Sequence, residues 1–260
     1  MIDINIIRGY FPPLVRGNAT FNKHILKEYL QLMILDFISA SAYAKKITFI
    51  GGTNLRLILV IDRFSEDLDF DCKNMTEEEF IAMTDDVLSF LRANDFNVEP
   101  RDKANPKLTA FRRNIYFPNL LFELNLTGHK EERFLIKMEA QDQGVAYTPA
   151  MADVKGCGFF FPFQIPPKTV LCAMKLSALV SRAKGRDFYD SMFLLSQTEP
   201  DYEFLAARCG IKNKEELKAK VAELLLKIDL SKKAEDFKHL LFNIDNSKKI
   251  LHFAEFMAHL

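Results

Sequence analysis

The sequence predicts an α+β protein whose C-terminal part is helical. In the first part of the chain, short runs of alternating or β-branched apolar residues lie between stretches with helical spacing. After "FFFPFQIPPKT", a run whose prolines and aromatics predict a connector, apolar residues recur every three to four positions beside charged faces. We therefore expect two domains, residues 1–155 and residues 156–260.

The composition excludes several classes of protein. Of the 260 residues, 48% are hydrophobic, which is enough for a packed core and argues against disorder. The 35 basic residues balance the 35 acidic ones, so net charge does not point to nucleic acid. The four cysteines contain no Cys-x-x-Cys pair and the five histidines show no metal-ligand spacing, which argues against zinc and against a disulfide scaffold. Because no apolar run is long enough to span a bilayer, we expect a soluble, cytoplasmic protein without a membrane partner.

The elements of the first part follow from the pattern in chain order. Residues 20–44 have helical apolar spacing, and "KKITFIGG" then switches to a short β-branched strand ended by glycines. The next run, "TNLRLILV", predicts a short helix, and "EDLDFDC" alternates polar and apolar residues as a half-buried strand does. Thr76 and Glu79 form the capping-box pattern that opens another helix. Further strands are expected at "LTAFRRNIYF", "LLFELNLT" and "RFLIKMEA".

The C-terminal part repeats one pattern, an apolar stripe at helical spacing with charged residues on the other faces. Four segments carry it: "VLCAMKLSALVSRAK", "GRDFYDSMFLLSQ", "KEELKAKVAELLLKI" and "KKILHFAEFMAHL". We expect each of these segments to form a helix.

Three aspartates at alternate positions mark the strand "EDLDFDC" as a candidate metal site. Asp67, Asp69 and Asp71 share one face of this strand, while Leu68 and Phe70 point into the core. Neighbouring carboxylates repel each other unless a cation neutralises them, and hard oxygen ligands suit Mg²⁺ or Mn²⁺. The alternative is an exposed strand whose acids are merely solvated.

A glycine pair upstream favours the metal-site interpretation. Gly51 and Gly52 lie between a predicted strand and a predicted helix, where backbone N–H groups can approach a phosphate closely. Thr53 adds a hydroxyl donor. A glycine pair alone is more often an ordinary turn, but beside the Asp-x-Asp strand it predicts a site for a triphosphate and its metal.

Two motifs in the chain resemble those of one family. "GGTNLR…DRFSEDLDFD" is similar to the glycine and Asp-x-Asp motifs of the polymerase-β-like nucleotidyltransferases, and "RFSEDLDF" resembles their AbiEii/AbiGii toxin branch. "MKLSALVSRAKGRDFYDSMFLL" resembles a helical signature of the same branch, and "KEYL" weakly resembles another of its blocks. The resemblance covers roughly residues 20–195 and implies a nucleotidyltransferase-type mixed β-sheet flanked by helices, followed by a helical domain.

The resemblance assigns roles to several residues of the first domain. Asp67 and Asp69 are the expected metal ligands, whereas Asp71 lies beyond the motif and is expected to be peripheral. A third carboxylate comes from a neighbouring strand; the alternation in the two candidate strands allows Glu139 or Glu123, and the branch favours Glu139. The expected nucleotide-binding residues are Gly51, Gly52, Thr53, Arg56, Ser65 and Lys175.

In the helical domain, Lys175 lies on or beside the apolar stripe of its helix, so it must either extend to solvent or meet an anion. The resemblance implies a phosphate contact for Lys175 and a catalytic role for Asp187, with Asp190, Arg182 and Arg186 in support. If one helix runs through Gly185, the two arginines share a face. The alternative for these charges, and for Arg56 and Arg63, is structural ion pairing.

The implied activity is transfer of a nucleoside monophosphate from an NTP to an acceptor hydroxyl, with Mg²⁺ or Mn²⁺ as cofactor. The resemblance further implies a toxin of a toxin–antitoxin or abortive-infection system, with a tRNA 3′ end or a protein as acceptor and a cognate antitoxin as partner. A basic stretch that includes Lys103, Lys107, Arg112 and Arg113 is a candidate RNA contact, although a solvated hairpin explains it as well. The rival functions are a catalytically silent relative that binds a nucleotide or a partner, and a kinase.

Overall fold

The computed structural model describes residues 2–102 and 109–260, so Lys103 and Lys107 of the basic stretch lie outside the described residues. The chain divides into two compact units. The N-terminal unit consists of Met1–Val60, Phe64–Gly144 and Ala150–Ile165; the helical unit consists of Ile61–Arg63, Val145–Pro149 and Pro166–Leu260. The N-terminal unit thus extends beyond residue 155 and includes Phe159–Ile165 of the expected connector, whereas the helical unit resumes at Pro166.

The N-terminal unit contains six α-helices and seven strands in its described residues. Its helices are α1 (Ile4–Gly9), α2 (Pro13–Arg16), α3 (Asn22–Ser39), α4 (Gly51–Leu57), α5 (Glu77–Ala93) and α6 (Leu120–Glu123). Its strands are β1 (Ile47–Ile50), β2 (Asp67–Cys72), β3 (Glu99–Pro100), β4 (Phe111–Tyr116), β5 (Leu135–Gln141), β6 (Ala150–Gly156) and β7 (Phe159–Ile165).

Five of these strands form a mixed sheet in the order β1-β2-β5-β4-β3. Strand β2 runs antiparallel to β1 and parallel to β5, and β4 runs antiparallel to both β5 and β3. The predicted strands at "KKITFIGG", "EDLDFDC", "LTAFRRNIYF" and "RFLIKMEA" are confirmed as β1, β2, β4 and β5. The parallel pair places β2 and β5, which carry the predicted carboxylates, side by side.

The alternation predicted for β2 and β5 is present in the structure. Leu68 and Phe70 of β2 are buried, as are Ile136, Met138 and Ala140 of β5. This apolar face packs into the core of the unit, so the charged residues between them lie on the opposite face. The capping box of Thr76 and Glu79 at the start of α5 is also confirmed.

The segment predicted as a connector is instead a strand. β7 pairs with β6 as an antiparallel hairpin, closed by Cys157 and Gly158, which both have positive φ. Two positive φ angles are what a two-residue hairpin turn with native twist requires. Pro162 has no N–H to donate, and it is tolerated because both strands of a two-stranded ribbon are edge strands. Phe161 and Phe163 are buried, so the aromatics belong to the core of this unit.

The prediction of a strand at "LLFELNLT" was wrong. These residues form the one-turn helix α6, which begins after Asn119 and is followed by Asn125, both in the left-handed region. Asparagine tolerates that conformation, and two such residues six positions apart close a turn where the apolar alternation had predicted a strand. Glu123 is exposed on this helix and so does not lie beside β2.

The helical unit contains α7 (Lys168–Arg182), α8 (Gly185–Leu195), α9 (Tyr202–Cys209), α10 (Lys214–Leu225), α11 (Leu230–Phe237) and α12 (Phe253–His259), with a 3₁₀ segment at Ile244–His252. The predicted helices are confirmed as α7, α8 and α10, whereas "KKILHFAEFMAHL" is 3₁₀ up to His252 and α-helical only from Phe253. No helix runs through Gly185. Ala183 adopts a left-handed conformation that ends α7, so Arg182 and Arg186 lie on different helices. Gly185 is needed for close packing, because a Cβ there would lie 2.8 Å from the ring of Phe237 in α11.

None of the helices within 2–102 and 109–260 combines the length and the hydropathy that a membrane crossing needs.

Candidate active site

The candidate site begins with the two aspartates of β2. Asp67 and Asp69 are both half-buried, and their neighbours on β5 in the parallel register are Lys137 and Glu139. The structure therefore brings Glu139, one of the two candidates for the third carboxylate, directly beside Asp69. Two strands thus present three carboxylates and one ammonium on the same side of the sheet.

Gly51 lies against this acidic pair. It follows β1, adopts a φ of +81°, and a Cβ built on it would lie 2.7 Å from the Cβ of Asp69. Both facts exclude a larger residue, because an L-side chain would be strained by the backbone and would collide with the carboxylate. The absence of a side chain leaves the backbone of the glycine turn next to Asp69, as the sequence pattern predicts for a phosphate site.

Lys137 is a site residue that the sequence reasoning missed. Its Nζ lies 3.1 Å from Asp67 Oδ2 and 3.3 Å from Glu139 Oε2. Burial by itself lowers the pKa of Lys137, but the carboxylates of Asp67 and Glu139 outweigh burial, so the pKa is raised above its ordinary value. The available signal was its position two residues before Glu139 on the same strand face.

Glu139 has a second cation. The guanidinium of Arg112, on the adjacent strand β4, forms an ion pair with the Glu139 carboxylate. Arg113, its neighbour, points the other way and is buried, with hydrogen bonds to Thr84 at 3.0 Å and to Asp85 at 2.9 Å. The two arginines of the basic stretch therefore form ion pairs within the unit, on strand β4.

Helix α3 holds the two segments that carry the motifs. Glu28 forms a bidentate pair with Arg56 of α4 at 2.8 and 2.9 Å, and the amide of Gln31 donates to the carbonyl oxygen of Ser65 at 3.2 Å. Glu28 and Gln31 are both buried, although their residue types are usually exposed. Glu28 of the "KEYL" block therefore supports α4, and Gln31, directly after the block, supports the approach to β2; sequence alone did not reveal these roles.

The residues after the glycine pair are buried and serve the fold. The Thr53 hydroxyl donates to the carbonyl oxygen of Asp67, which ties α4 to β2. Asn54 is fully buried, and its amide donates to the carbonyl oxygen of Phe49 at 2.7 Å. Both bonds fix the turn that presents Gly51 to Asp69.

Asp71 is on the same strand but has a different environment. It is buried, and its carboxylate accepts a hydrogen bond from the backbone N–H of Gln143 at 3.0 Å. This contact fixes the segment that leaves β5.

In the helical unit, Lys175 and Asp190 form part of a buried charge cluster. Asp190 is fully buried and accepts from Arg63 Nε and Nη2, each at 2.7 Å, and lies 2.9 Å from Lys175 Nζ. Burial alone raises the pKa of Asp190, but Arg63 and Lys175 reverse this effect and lower the pKa to about 2. Arg63 and Lys175 both contact this carboxylate, and Lys175 is the less enclosed of the two cations.

Asp187 is buried at the start of α8. It accepts from Arg182 at 2.8 and 2.9 Å and from the backbone N–H of Lys184 at 3.1 Å. These bonds cap α8 and close the break between α7 and α8. Arg186 is half-buried and forms no ion pair with any residue that the structure describes. Arg182 and Asp187 thus form an ion pair, which was the structural alternative for these charges in the sequence analysis.

The chemistry of the donor set fits a hard divalent cation held by few protein ligands. Among the described residues, no three His, Cys, Asp or Glu side chains are grouped as a complete metal cage. Mg²⁺ is commonly bound by one or two carboxylates and completes its shell with water and substrate phosphates. Asp67 and Asp69 beside the Gly51 backbone supply that arrangement, while Glu139 is paired with Arg112 and Lys137.

A mixed sheet that carries an Asp-x-Asp strand beside a glycine turn, followed by a helical unit, defines a nucleotidyltransferase-type protein. Residues 34–255 match the family model "Nucleotidyl transferase AbiEii toxin, Type IV TA system", and the chain belongs to this family.

Solved structures share the fold at low sequence identity. MenT4, a nucleotidyltransferase toxin from Mycobacterium tuberculosis H37Rv, is 16% identical with a TM-score of 0.60, covering 100% of this chain and 91% of that chain. JHP933 from Helicobacter pylori is 18% identical with a TM-score of 0.54, covering 91% of this chain and 90% of that chain. A putative nucleotidyltransferase from H. pylori is 17% identical with a TM-score of 0.50, covering 90% and 93%. No curated protein matches the sequence.

Proposed function

We propose that this protein transfers a nucleoside monophosphate from an NTP to an acceptor hydroxyl and releases pyrophosphate. The observation that carries the proposal is the Asp-x-Asp pair of β2 with the Gly51 backbone packed against Asp69. Family membership supports nucleotidyl transfer as the class of reaction. The N-terminal unit is the proposed catalytic domain.

In the proposed reaction, the acceptor oxygen forms a bond to the α-phosphorus while the bond from that phosphorus to the bridging oxygen of pyrophosphate breaks. The electron pair of the broken bond leaves with pyrophosphate, and the proton of the acceptor hydroxyl passes to Glu139 or to water. Asp67 and Asp69 would hold the divalent cation, with Glu139 as the proposed third carboxylate. When bound, Mg²⁺ or Mn²⁺ supplies positive charge at the reacting phosphate oxygens.

The remaining roles concern position and charge. Gly51 and Gly52 present backbone N–H groups to the phosphates, and Thr53 fixes this turn through its bond to Asp67. Arg56 and Ser65 are proposed to act near the nucleotide while α3 holds them. Because the protein forms no covalent bond to the substrate in this proposal, positioning and charge neutralisation account for the acceleration of the transfer reaction.

The helical unit is proposed to contribute Lys175 and Asp187 to the reaction. Lys175 shares the carboxylate of Asp190 with Arg63 and is the more exposed of the two cations. A phosphate contact would be a charge-assisted hydrogen bond from its ammonium group. Arg182, Arg186 and Asp190 then act as supporting residues.

The test is transfer of label from α-³²P-labelled NTPs to total RNA or protein with Mg²⁺ present. We expect Asp67→Asn and Asp69→Asn to lose labelling by about 100-fold or more, since each removes a charge that holds the cation. Asp71→Asn is the matched control: it makes the same change on the same strand and is expected to retain activity. Full activity in either Asp67→Asn or Asp69→Asn would refute the assignment.

The released product separates the proposal from its rivals. Nucleotidyl transfer yields pyrophosphate, whereas a kinase yields a nucleoside diphosphate and labels the acceptor only from γ-labelled NTP. A silent relative binds Mg²⁺-NTP without turnover. Calorimetry of NTP binding, followed by product analysis, distinguishes these three outcomes.

The family description includes a Type IV toxin–antitoxin system. We propose accordingly that the protein is a toxin of the bacterial cytoplasm, that it has a cognate antitoxin, and that its acceptor is a tRNA 3′ end or a protein. Expression of the wild type is expected to arrest growth, and Asp67→Asn is expected to relieve the arrest. Growth arrest by Asp67→Asn equal to that by wild type would contradict a catalytic origin of toxicity.

A further inference from the structure

A cavity of about 660 Å³ in the N-terminal unit is lined by α1 and its flanking residues, α3, α6, the residues that follow α5, and the turn between β6 and β7. The buried part of its lining is apolar and consists of Ile7, Met33, Phe96 and Cys157. This volume is in the range of sites that take a large side chain or a small molecule. The α1 and α3 residues of the lining precede residue 34, so this part of the cavity lies outside the family match.

An exposed apolar edge borders this cavity on α1. Ile6 of the helix and Tyr10, its C-cap, are four positions apart and therefore lie on the same side of the helix. They line the cavity and are 65% and 55% exposed. Single exposed apolar residues are ordinary, but two that adjoin an apolar cavity form a surface suited to a protein partner. A ligand held wholly inside the cavity would leave both side chains in water, so the edge favours an occupant that extends over it.

The charged residues of the cavity lining are all acidic. They are Asp3, Asp95 and Glu123, and the described residues contribute no lysine, arginine or histidine to the lining. All three acids are exposed, and none forms an ion pair with a residue in 2–102 or 109–260; one oxygen of Asp3 accepts from the backbone N–H of Asn5 at 2.8 Å. Arg8, the base of α1, lies on another side of the helix and does not line the cavity. Uncompensated negative charge thus borders an apolar cavity.

These acids decide which kind of occupant fits. Nucleic acids and anionic membrane surfaces carry negative charge and would be repelled. A two-fold interface between two copies of this chain would set the acids against their own equivalents, because such an interface brings the same patch of both subunits together. A cationic segment with apolar side chains complements both the charge and the apolar lining.

We propose that this cavity docks a segment of a partner protein in which an apolar anchor side chain is flanked by lysine or arginine. The anchor fills the cavity, while its apolar neighbours cover Ile6 and Tyr10. The flanking bases pair with Asp95 and Glu123. The docking site is separate from the proposed nucleotidyl transfer, because neither the aspartates of β2 nor the glycine turn lines the cavity.

The test measures binding of a fluorescein-labelled amphipathic peptide of leucine and lysine by fluorescence anisotropy at physiological salt. The double variant Asp95→Asn with Glu123→Gln removes two acids of the cavity, and asparagine tolerates the φ of +64° at position 95. Asp153→Asn with Glu131→Gln is the matched control, because it removes two exposed acids of the same unit outside the cavity lining. We expect the cavity variant to bind the peptide about tenfold more weakly and the control less than about twofold more weakly, since distant exposed charges are screened.

Ile6→Ser tests the apolar edge. It should weaken peptide binding about fivefold, because the serine cannot bury apolar surface against the partner. Ile81→Ser is the control: Ile81 is 41% exposed on α5 and does not line the cavity, so its replacement should change peptide binding by less than about twofold. Both side chains are exposed, and thermal unfolding followed by circular dichroism verifies that both variants are folded.

Two further peptides separate charge from apolar contact: one replaces each lysine by glutamate, and the other keeps the lysines but replaces each leucine by serine. Both should bind the wild type at least about tenfold more weakly than the leucine–lysine peptide. Equal binding of either peptide would overturn the proposal, as would equal weakening by the two double variants or no binding of the leucine–lysine peptide. Self-association of the wild type that Ile6→Ser abolishes, measured by analytical ultracentrifugation, would assign this face to a second copy and refute the cationic partner.

Discussion

At the residue scale, Lys137 is the cation that lies closest to the acidic face of β2 in sequence register. Its ammonium lies 3.1 Å from Asp67 and 3.3 Å from Glu139, so one side chain on β5 partly neutralises the site. A cation held by Asp67 and Asp69 must compete with this ammonium for the Asp67 carboxylate. We therefore expect Lys137 to lower the affinity of the proposed site for a metal, and its ammonium to become available to a substrate phosphate once a metal has taken the Asp67 carboxylate.

Replacement of Lys137 by methionine should increase the affinity for Mg²⁺ or Mn²⁺. The change removes the competing charge and keeps the aliphatic stem, so we expect about tenfold tighter binding in the absence of nucleotide. Isothermal titration calorimetry with Mn²⁺ measures this directly, and Lys45→Met, at an exposed position, is the control. Unchanged or weaker Mn²⁺ binding by Lys137→Met would show that Lys137 does not compete with the metal.

Gly51 is the second residue with a defined consequence. Gly51→Ala should abolish activity, because the new Cβ would displace the carboxylate of Asp69. Gly144→Ala is a matched control, since Gly144 also has a positive φ, of +69°, but a Cβ there meets open space. Both variants should lose about 1 kcal/mol of stability from backbone strain. Only Gly51→Ala should lose transfer of labelled NMP; equal activity of the two variants would remove Asp69 from the proposed role.

At the element scale, helix α3 is the support on which the motif segments rest. It binds α4 through Glu28 and Arg56, and it binds the segment before β2 through Gln31 and the Ser65 carbonyl. Its lysines at positions 23 and 27 also line a cavity beside Asp67. One helix thus positions the glycine turn and the Asp-x-Asp strand.

The pair of Glu28 and Arg56 should contribute measurably to stability. Both side chains are largely buried, with exposures of 6% and 13%, and two hydrogen bonds join them. A double-mutant cycle of Glu28→Gln and Arg56→Gln in urea unfolding should give a coupling energy of about 2 kcal/mol. The pair of Glu99 and Arg101 has the same chemistry, with about half of each side chain exposed, and should give less than about 1 kcal/mol. Equal coupling in the two cycles would contradict a supporting role for Glu28.

At the scale of the whole molecule, each of the two units is built from three separate segments of the chain. Ile61–Arg63, which lies between α4 and β2 in sequence, belongs to the helical unit. Arg63 is fully buried against Asp190, and Asp62 accepts from Tyr189 and from Asn246, each at 2.6 Å. The helical unit is therefore completed by residues that lie four and five positions before Asp67.

Asp190→Asn should destabilise the protein strongly. The change leaves Arg63 and Lys175 without their shared carboxylate, and loss of one partner from a buried ion pair typically costs about 3 kcal/mol or more. Asp245→Asn breaks an exposed pair with Lys248 and should cost well under about 1 kcal/mol. Urea unfolding at neutral pH measures both; a loss in Asp190→Asn as small as in Asp245→Asn would contradict the cluster.

The same cluster predicts an acid dependence of stability. The pKa of Asp190 falls from 3.8 to about 2 in the folded protein, so its stabilisation is complete above about pH 4 and is lost as the pH falls towards 2. Asp190→Asn lacks this group and should show a shallower loss of stability over that range. An identical pH dependence of urea unfolding in the wild type and Asp190→Asn would refute the lowered pKa.

Much of the fold could be predicted where one local pattern decides the element. The period-two alternation of β2 and β5 fixed which side chains enter the core, and therefore placed Asp67, Asp69 and Glu139 on the other face. Local pattern failed where backbone conformation or pairing decides. "LLFELNLT" forms a helix because two flanking asparagines adopt left-handed conformations. The aromatic run that was predicted to be a connector forms a strand because β6, which precedes it, pairs with it as a hairpin.

The sequence by itself determined the α+β class, the Asp-x-Asp strand beside the glycine turn, and the family to which these motifs belong, because each is encoded within a short segment. Tertiary structure decided which charges meet. The pairing of β2 with β5 placed Lys137 beside Asp67. Arg112 of β4 forms an ion pair with Glu139, and Glu28 of α3 forms one with Arg56. Such contacts join residues far apart in the chain, and only strand register and helix packing bring them together.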